Sequence, residues 1–233
     1  MDKPSVYIGM PIYNRVVDFE IMTMLYQMAA EGNYRLMLDT ISGPYIDTNR
    51  NRMIKHFLGT NFEWIYFWDT DVVVFDSKFL TKLIETSKKL NAPVVGMPYL
   101  IKGAHNLYAV VSGNEEKMVN YKVGELVEPQ LVFAISGGSM LIHRSVLEEM
   151  EDPYFEINPL AGGREMPEDF YLCNKAHKLG YNVAVDTRID NYHFAPMAWV
   201  HSYSGNEKIN IEKRFERDSK SNFNNETMKK KKK

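Results

Sequence analysis

The chain has 233 residues, of which 45% are hydrophobic and 25% are charged, with 14 glycines and 10 prolines. These proportions are typical of a globular protein, and they exclude a disordered, collagen-like or coiled-coil chain. The length allows one large domain or two small ones. The net charge of −2 includes five lysines at Lys229–Lys233, so the rest of the chain carries −7. Nucleic acid is therefore not an expected partner of the folded part.

The apolar segments and the cysteine content indicate a cytoplasmic protein. The longest apolar runs, Trp64–Trp68 and Val72–Phe75, are broken by Asp69-Thr70-Asp71 and fall short of the ~20 residues that cross a bilayer. A single cysteine, Cys173, cannot form an internal disulfide, which agrees with a reducing compartment. The lysines at Lys229–Lys233 are either solvated or make a weak contact with an anionic membrane surface.

The first hundred residues alternate between strand and helix patterns, which predicts a parallel sheet flanked by helices. The predicted strands are Val6–Met10, Arg35–Leu38, Trp64–Trp68 and Ala92–Tyr99, and the predicted helices are Asp18–Ala30, Ile46–Leu58 and Lys78–Leu90. The helical spacing of the first helix is carried by Phe19, Met22, Leu25, Tyr26 and Ala29. Ligands bind at the carboxyl ends of such strands. The first candidates for function are therefore Pro11 to Arg15, Asp39, and Asp69 to Asp71.

The pattern changes after Tyr99, where short β-prone segments alternate with turn residues. The predicted strands are Tyr108–Ser112, Met118–Val123, Gln130–Ile135, Gly137–Ile142 and Asn182–Val185, and the predicted helices are Arg144–Met150 and Pro167–Leu179. From about Ser204 the chain becomes polar and charged, which predicts a helical or irregular tail. The expected organisation is one domain over residues 1–203, with halves at about 1–100 and 101–203, followed by the tail 204–233.

Two carboxylates separated by one residue follow the predicted strand Trp64–Trp68. Asp69 and Asp71 can present hard oxygen ligands to Mg²⁺ or Mn²⁺ beside a phosphate. The alternative is that one of them caps the next helix and the other is solvated. The position at the end of an internal strand favours metal binding.

Two further acidic motifs have both a structural and a functional interpretation. Glu168 and Asp169 open a predicted helix, where the helix dipole favours acidic residues. Either carboxylate could also act as a general base toward an acceptor hydroxyl. Asp186 lies at a predicted strand end and His193 follows it. A lone histidine is a structural residue unless other ligands accompany it.

Taken in order, these motifs resemble those of a GT-A glycosyltransferase of the family-2-like kind, including its small viral and bacterial members. The resemblance covers about residues 5–195, and the order and spacing of the motifs carry it. The matching segments are Ile8–Arg15, Ile46–Leu58, Asp69–Asp71, Ser136–Ile142, Glu168–Phe170 and Asp186–His193. The resemblance implies an α/β fold of the Rossmann-like GT-A type, with a mostly parallel central sheet and a smaller antiparallel sheet on the acceptor side.

The resemblance also implies which residues bind the donor. The residues implied to border the nucleotide or its sugar are Pro11, Tyr13, Asn14, Asp39, Arg50, Asp69, Thr70, Gly138 and Ser139. Within this set, Asp39 would bind the base and Arg50 would lie near the donor. Asp69 would contact the ribose or a metal-bound water. Gly138 and Ser139 would line the floor where donor sugar and acceptor meet.

The implied metal and catalytic residues lie on separate elements. Asp71 would bind Mn²⁺ or Mg²⁺ directly, His193 would be a further protein contact to the metal, and Asp69 would belong to the same site. Asp169 would be the general base. A divalent cation can stabilise a leaving nucleoside diphosphate, and a carboxylate can take the proton of a hydroxyl nucleophile.

The expected reaction is transfer of one sugar from a nucleotide sugar, in particular a UDP-sugar, to a glycan or other hydroxyl acceptor, with inversion. The alternatives are a retaining glycosyltransferase, a sugar-phosphate nucleotidyltransferase and a glycan-binding module without activity. The sequence has neither the Gln-x-x-Arg-Trp segment nor the transmembrane helices of processive synthases, which favours single transfer. Gly162-Gly163-Arg164, within Asn158–Met166, could form a mobile acceptor-side loop or an ordinary surface loop.

Overall fold

Five helices and fifteen strands make up the part of the chain that the structure, a computed structural model, describes. That part comprises residues 3–12, 16–99, 110–112, 117–118, 124, 126–127, 129, 132–159, 165–193 and 199–201. The helices are α1 Phe19–Glu31, α2 Ile46–Leu58, α3 Phe79–Leu90, α4 Arg144–Glu149 and α5 Glu168–Lys178. The strands are β1 Ser5–Ile12, β2 Arg35–Ser42, β3 Trp64–Trp68, β4 Val72–Val74, β5 Val94–Gly96, β6 Val110–Ser112, β7 Lys117–Met118, β8 Leu126–Val127, β9 Ala134–Ile135, β10 Ser139–His143, β11 Asn158–Pro159, β12 Glu165–Met166, β13 Val183–Asp186, β14 Asn191–His193 and β15 Trp199–His201.

A seven-stranded sheet with the order β2-β1-β3-β10-β5-β13-β8 forms the centre of the fold. Strands β2, β1 and β3 are mutually parallel, and so are β5 and β13. Strand β10 lies between these two groups and is antiparallel to both β3 and β5. The mostly parallel α/β sheet predicted from the sequence is therefore confirmed. Three small antiparallel sheets accompany it: β15-β14-β4, β7-β6-β9 and β11-β12.

Alternating side chains of the central strands build a core on each face of the sheet. On one face, strand residues such as Ile65 and Phe67 pack against α2, α4 and α5. On the other face, residues such as Tyr66 and Trp68 pack against α1 and α3. All five residues of β3 are buried, as expected for a strand covered on both faces. In the part of the chain that the structure describes, no helix is long and apolar enough to span a membrane.

Local signals in the sequence explain where the helices begin and end. Asp18 caps α1, because its carboxylate accepts a hydrogen bond from the backbone N–H of Glu20 at 3.0 Å. Gly32 ends that helix in the left-handed conformation, with φ of 63°, which glycine adopts without a steric penalty. The predicted bounds of α2, Ile46 to Leu58, are those observed. Its apolar residues Met53, Ile54 and Phe57 are buried.

Two strand predictions and one loop prediction need correction. The second strand does not end at Leu38, because β2 pairs with β1 along eight residues, and Asp39 lies opposite Gly9 within the ladder. The loop expected at Thr40–Pro44 therefore begins only after Ser42. The strand expected over Ala92–Tyr99 is confined to Val94–Gly96. The segments 100–109, 161–164 and 204–233 lie outside the described residues, and the predicted domain boundaries stay predictions.

Asp186 ends β13 as a structural anchor. It is fully buried and accepts hydrogen bonds from Thr86 Oγ1 on α3 at 2.8 Å and from Arg188 Nη2 at 2.8 Å. Burial opposes ionisation of Asp186, but the hydrogen bonds from Arg188 and Thr86 outweigh it and lower the pKa. The carboxylate therefore stabilises the contact between α3 and the sheet.

Replacing Asp186 should destabilise the fold. We expect Asp186→Ala to lower the free energy of unfolding by about 2–3 kcal/mol, because hydrogen bonds to a charged group are lost and Thr86 stays buried. Since the folded-state pKa is depressed, the stabilisation is present above the usual aspartate pKa of about 4 and is lost as the pH falls through the lower folded-state value. Urea denaturation at several pH values measures both effects.

Asp152→Ala is the control for this experiment. Asp152 makes an exposed ion pair with Lys55 at 3.0 Å, with 52% of its side chain accessible. Such a pair contributes about 0–1 kcal/mol. Equal effects of the two substitutions would contradict the role given to Asp186.

Candidate active site

The turn that carries Asp69, Thr70 and Asp71 is fixed on both sides. It joins β3 to β4 at the carboxyl end of β3. The backbone N–H of Asp69 donates to the carbonyl of Gly138 at 3.0 Å, and the N–H of Val72 donates to the carbonyl of Asp69 at 3.2 Å. The indole N–H of Trp68 donates to the carbonyl of Val72 at 2.6 Å. The two carboxylates are therefore presented by a well-anchored turn.

Arg50 on α2 links this turn to α5. Its guanidinium donates to Asp69 Oδ1 at 2.9 Å and to Glu168 Oε1 at 2.6 Å. Only 2% of the Arg50 side chain is accessible, and its guanidinium lies against the rings of Phe67 and Phe155, with 5.9 and 5.5 Å to their centroids. A planar guanidinium can serve two carboxylates at once, so Arg50 holds both acidic motifs in place.

A pair of glycines separates the two acidic motifs. The N–H of Gly137 donates to Asp169 Oδ2 at 2.9 Å, and the N–H of Gly138 donates to the Tyr99 hydroxyl at 3.1 Å. A Cβ atom on Gly137 would overlap the guanidinium of Arg50, and one on Gly138 would lie 2.8 Å from Asp69 Oδ2. Glycine is therefore required at both positions, because charged side chains approach the backbone closely.

Asp169 is buried and Glu168 is partly buried. Asp169 is 8% exposed, and its carboxylate accepts from the backbone N–H of Gly137 and of Phe170. Burial raises the pKa of Asp169 above its usual value, although Arg50 and the two backbone donors oppose the rise. Burial also raises the pKa of Glu168, again against the charge of Arg50. A carboxylate with a raised pKa is a stronger proton acceptor once it is ionised.

His193 lies next to Asp71 because β14 pairs with β4. In that antiparallel ladder His193 is opposite Val72, and its Nε2 is 3.5 Å from Asp71 Oδ1. The ring of Tyr99 packs edge-on against the imidazole, with 4.9 Å between the ring centroids. Tyr99 thus contacts both His193 and the backbone at Gly138, and its hydroxyl also hydrogen-bonds to Ser136.

A cavity of about 210 Å³ adjoins the carboxylates. Its lining consists of Pro11, Ile12, Gly43, Pro44, Ile46, Asn49, Asp69, Thr70 and Asp71. Among the described residues, this lining includes apolar side chains and two carboxylates, but no lysine or arginine. Asp18 lies beside it, and burial, together with the nearby charges of Glu20 and Asp71, raises the pKa of Asp18 to about 6. The described part of the lining therefore contributes negative charge.

The structure brings most of the sequence-predicted site residues together. Pro11, Asp69, Thr70 and Asp71 line the cavity, whereas Gly138 and Asp169 adjoin it through the contacts described above. Arg50 contacts Asp69 of this group and Glu168. Tyr13 and Asn14 lie outside the described residues.

Two predicted donor-binding residues are placed elsewhere. Asp39 Oδ2 accepts from the Tyr7 hydroxyl at 2.5 Å and lies 2.9 Å from His56 Nδ1, within the ladder and not in the cavity lining. Ser139 is fully buried and bonds to the Tyr66 hydroxyl at 2.8 Å.

Tyr99 and Asn49 are site residues that the sequence motifs did not reveal. Asn49 is 4% exposed and donates to the carbonyl of Gly43 at 3.1 Å, which shapes one wall of the cavity. Asn49 directly precedes Arg50 on α2. Its only signal in the sequence was that these two polar residues lie on the buried face of the helix. The only signal for Tyr99 was its position at the end of the predicted strand Ala92–Tyr99, since it belongs to no recognisable motif.

The donor atoms at the turn fit a divalent cation. A carboxylate oxygen and an imidazole nitrogen, from Asp71 and His193, face each other across 3.5 Å, and such ligands suit Mn²⁺ and, with more oxygen, Mg²⁺. Within the described residues, no three His, Cys, Asp or Glu side chains converge to hold a metal by themselves. Oxygens of a bound diphosphate and water would have to complete the coordination.

Residues 45–151 match the family model described as Glycosyl transferase family 2, a little less than half of the chain. Among solved structures, the crystal structure of A197 from STIV has a TM-score of 0.59 and 20% identity, covering 82% of this chain and 86% of that chain. S. aureus TarS 1–349 has a TM-score of 0.45 and 15% identity, covering 87% of this chain and 61% of that chain. No curated protein sequence matches the chain.

The family match and the shared fold confirm the expected class: the protein is an enzyme of the glycosyltransferase class with a GT-A fold. More particularly, it is family-2-like over the segment that carries Arg50, the Asp69-Thr70-Asp71 turn and the Gly137-Gly138 pair.

Arg50 should be essential for the integrity of the site. We expect Arg50→Ala to lower the free energy of unfolding by about 3–5 kcal/mol, because it leaves buried carboxylates without a compensating charge. Arg50→Lys should retain part of the stability, but a single ammonium group cannot hold both Asp69 and Glu168 in the observed geometry. Denaturant unfolding and donor turnover measure the two effects.

Arg52→Ala is the matched control on the same helix. Arg52 is exposed, so its removal should change stability by about 0.5 kcal/mol or less. The role assigned to Arg50 would be contradicted if the two alanine variants were equally stable.

Proposed function

We propose that the protein transfers a single sugar from a UDP-sugar to an acceptor hydroxyl, with inversion at the anomeric carbon and with the help of Mn²⁺ or Mg²⁺. The observation that supports this proposal is the arrangement around Gly137 and Gly138. Asp69, which lines the cavity together with Asp71, approaches Gly138, and Asp169 accepts a hydrogen bond from the N–H of Gly137. A sugar bound in the cavity would have Asp69 and Asp71 as donor-side carboxylates, and the buried glycine pair connects them to Asp169, the proposed acceptor-side carboxylate.

The charge of the cavity supports the requirement for a metal ion. A nucleoside diphosphate carries negative charge, and the described residues of the cavity lining offer two carboxylates and no basic side chain. Arg50, the nearest arginine among the described residues, is already paired with Asp69 and Glu168. A cation bound by Asp71 and His193 would stabilise the charge of the leaving diphosphate.

Asp169 is the group proposed to accept the proton. In this reaction the acceptor oxygen forms a bond to the anomeric carbon, its proton passes to a carboxylate oxygen of Asp169, and the bond from that carbon to the diphosphate breaks with its electron pair on UDP. The backbone N–H groups of Gly137 and Phe170 fix the orientation of Asp169. Glu168 is held by Arg50.

Donor binding should depend on the metal and on its two proposed ligands. We expect Asp71→Ala and His193→Ala each to weaken Mn²⁺-dependent UDP binding at least tenfold in calorimetry, because a divalent ion bridges protein and diphosphate. Asp69→Asn should have a smaller effect, since that carboxylate is bound by Arg50.

A chelator provides the control for this experiment. The metal proposal would be overturned if a chelator did not weaken UDP binding to the unsubstituted protein and Asp71→Ala bound UDP as tightly as that protein does. His177→Ala is the control substitution. His177 lies in the last turn of α5 and contacts the carbonyl of Phe133, so this variant should bind UDP as the unsubstituted protein does.

Transfer should depend on ionised Asp169. We expect Asp169→Asn to bind UDP and Mn²⁺ normally but to lose at least 10²-fold in kcat, the usual contribution of a general base. The acidic limb of the pH profile of kcat/KM should lie above the ordinary aspartate range, since burial raises the pKa of Asp169, and activity should fall as the pH drops through it. Glu168 and Asp169 interact, so the limb reports the pair.

The stereochemistry of the product tests the same assignment. NMR of the product should show an inverted anomer, and retention would rule out Asp169 as a simple base. A panel of nucleotide sugars, screened for slow metal-dependent hydrolysis, identifies the donor before an acceptor is known.

A further inference from the structure

Helix α1 exposes an apolar stripe to solvent. Phe19 is 78% exposed, Met22 45% and Tyr26 76%, and Ala29 on the same stripe is also exposed. These are four of the five residues whose spacing predicts the helix, but a different set, Ile21, Met24 and Met28, packs against the sheet. The helix is therefore apolar on two nearly opposite faces.

The spacing of the exposed stripe is typical of a surface that receives another helix. Residues 19, 22, 26 and 29 alternate in steps of three and four, which is the 3.5-residue repeat of a helix–helix seam. A helix that is apolar all round is normally buried, and contiguous exposed apolar patches mark interaction sites. Two large aromatic side chains that are more than three-quarters exposed need such an explanation.

The charges of α1 favour a protein partner over a membrane. The helix contains no lysine or arginine, and its two charged residues, Glu20 and Glu31, are acidic. Helices that bind anionic membrane surfaces carry basic residues on their polar face. The side chains beside the stripe, Thr23 and Ala30, are uncharged, so a second identical helix would meet no like charge there.

We infer that α1 pairs with α1 of a second copy of this chain, in antiparallel orientation about a two-fold axis. In an isologous contact each side chain meets a residue of the same surface patch. A two-fold axis at the level of residue 24 places Phe19 opposite Ala29 and Met22 opposite Tyr26. A large side chain then faces a smaller one at every level, which allows the two helices to approach closely.

The size of the stripe indicates a weak dimer. The two aromatic residues, Met22 and the alanines offer roughly 400 Å² per copy, since an aromatic side chain buries about 150–250 Å². A stable interface of standard size buries about 800 Å² per partner. We therefore expect association in the micromolar range and not a permanent dimer.

Sedimentation velocity over a range of concentrations tests the association. The full chain should pass from monomer to dimer, and Tyr26→Lys should raise the dissociation constant at least tenfold by placing a charge in the seam. Gln27→Lys is the matched control, because Gln27 is exposed on the same helix but lies off the stripe. Circular dichroism and melting temperature verify that both variants are folded. A chain that stays monomeric at all concentrations, or a dimer unaffected by Tyr26→Lys, would overturn the inference.

Chemical crosslinking tests the orientation. The only native cysteine, Cys173, is fully buried, and burial raises the pKa of its thiol to about 12, so it should not react. Antiparallel pairing predicts that a mixture of the Met22→Cys and Tyr26→Cys variants gives a crosslinked dimer with a short bis-maleimide, in at least fivefold higher yield than either variant alone. Equal crosslinking of Met22→Cys with itself would overturn the antiparallel arrangement.

Discussion

The buried guanidinium of Arg50 is the constraint on which the candidate site depends. It neutralises Asp69 and Glu168, which belong to segments almost a hundred residues apart in sequence, and it is itself held between the rings of Phe67 and Phe155. Without the positive charge of Arg50, several carboxylates would be close together in a region of low water content, where like charges repel strongly. The acidic character that the proposed chemistry requires is tolerable only because one arginine lies in its centre.

The glycine pair at Gly137 and Gly138 allows the charged side chains of that arrangement to pack closely against the backbone. Its backbone N–H groups bind Asp169 and Tyr99, and its lack of side chains leaves room for Arg50 and Asp69. Tyr99 continues the network to His193. The buried glycine pair thus connects the two acidic motifs through its backbone.

The sequence predicted the elements whose signals are local, and it failed where position depends on pairing. The bounds of α2 followed from apolar spacing and Gly59, and β3 followed from an unbroken apolar run. The extension of β2 through Asp39 depends on its ladder with β1, and the approach of His193 to Asp71 depends on the pairing of β14 with β4. Likewise, spacing showed that α1 is a helix but not which of its two apolar faces packs on the sheet, because both have helical periodicity.

The antiparallel strand β10 has a consequence for how the molecule folds. Strands β3 and β5 are not paired with each other; β10, which is synthesised after both, lies between them and bonds to each. The first hundred residues therefore leave a gap in the middle of the sheet, and the donor-side half is not expected to be an autonomous folding unit. The sheet can be completed only when residues 139–143 pair with both strands, and the same step places the adjoining glycine pair. The fold and the site thus become stable together.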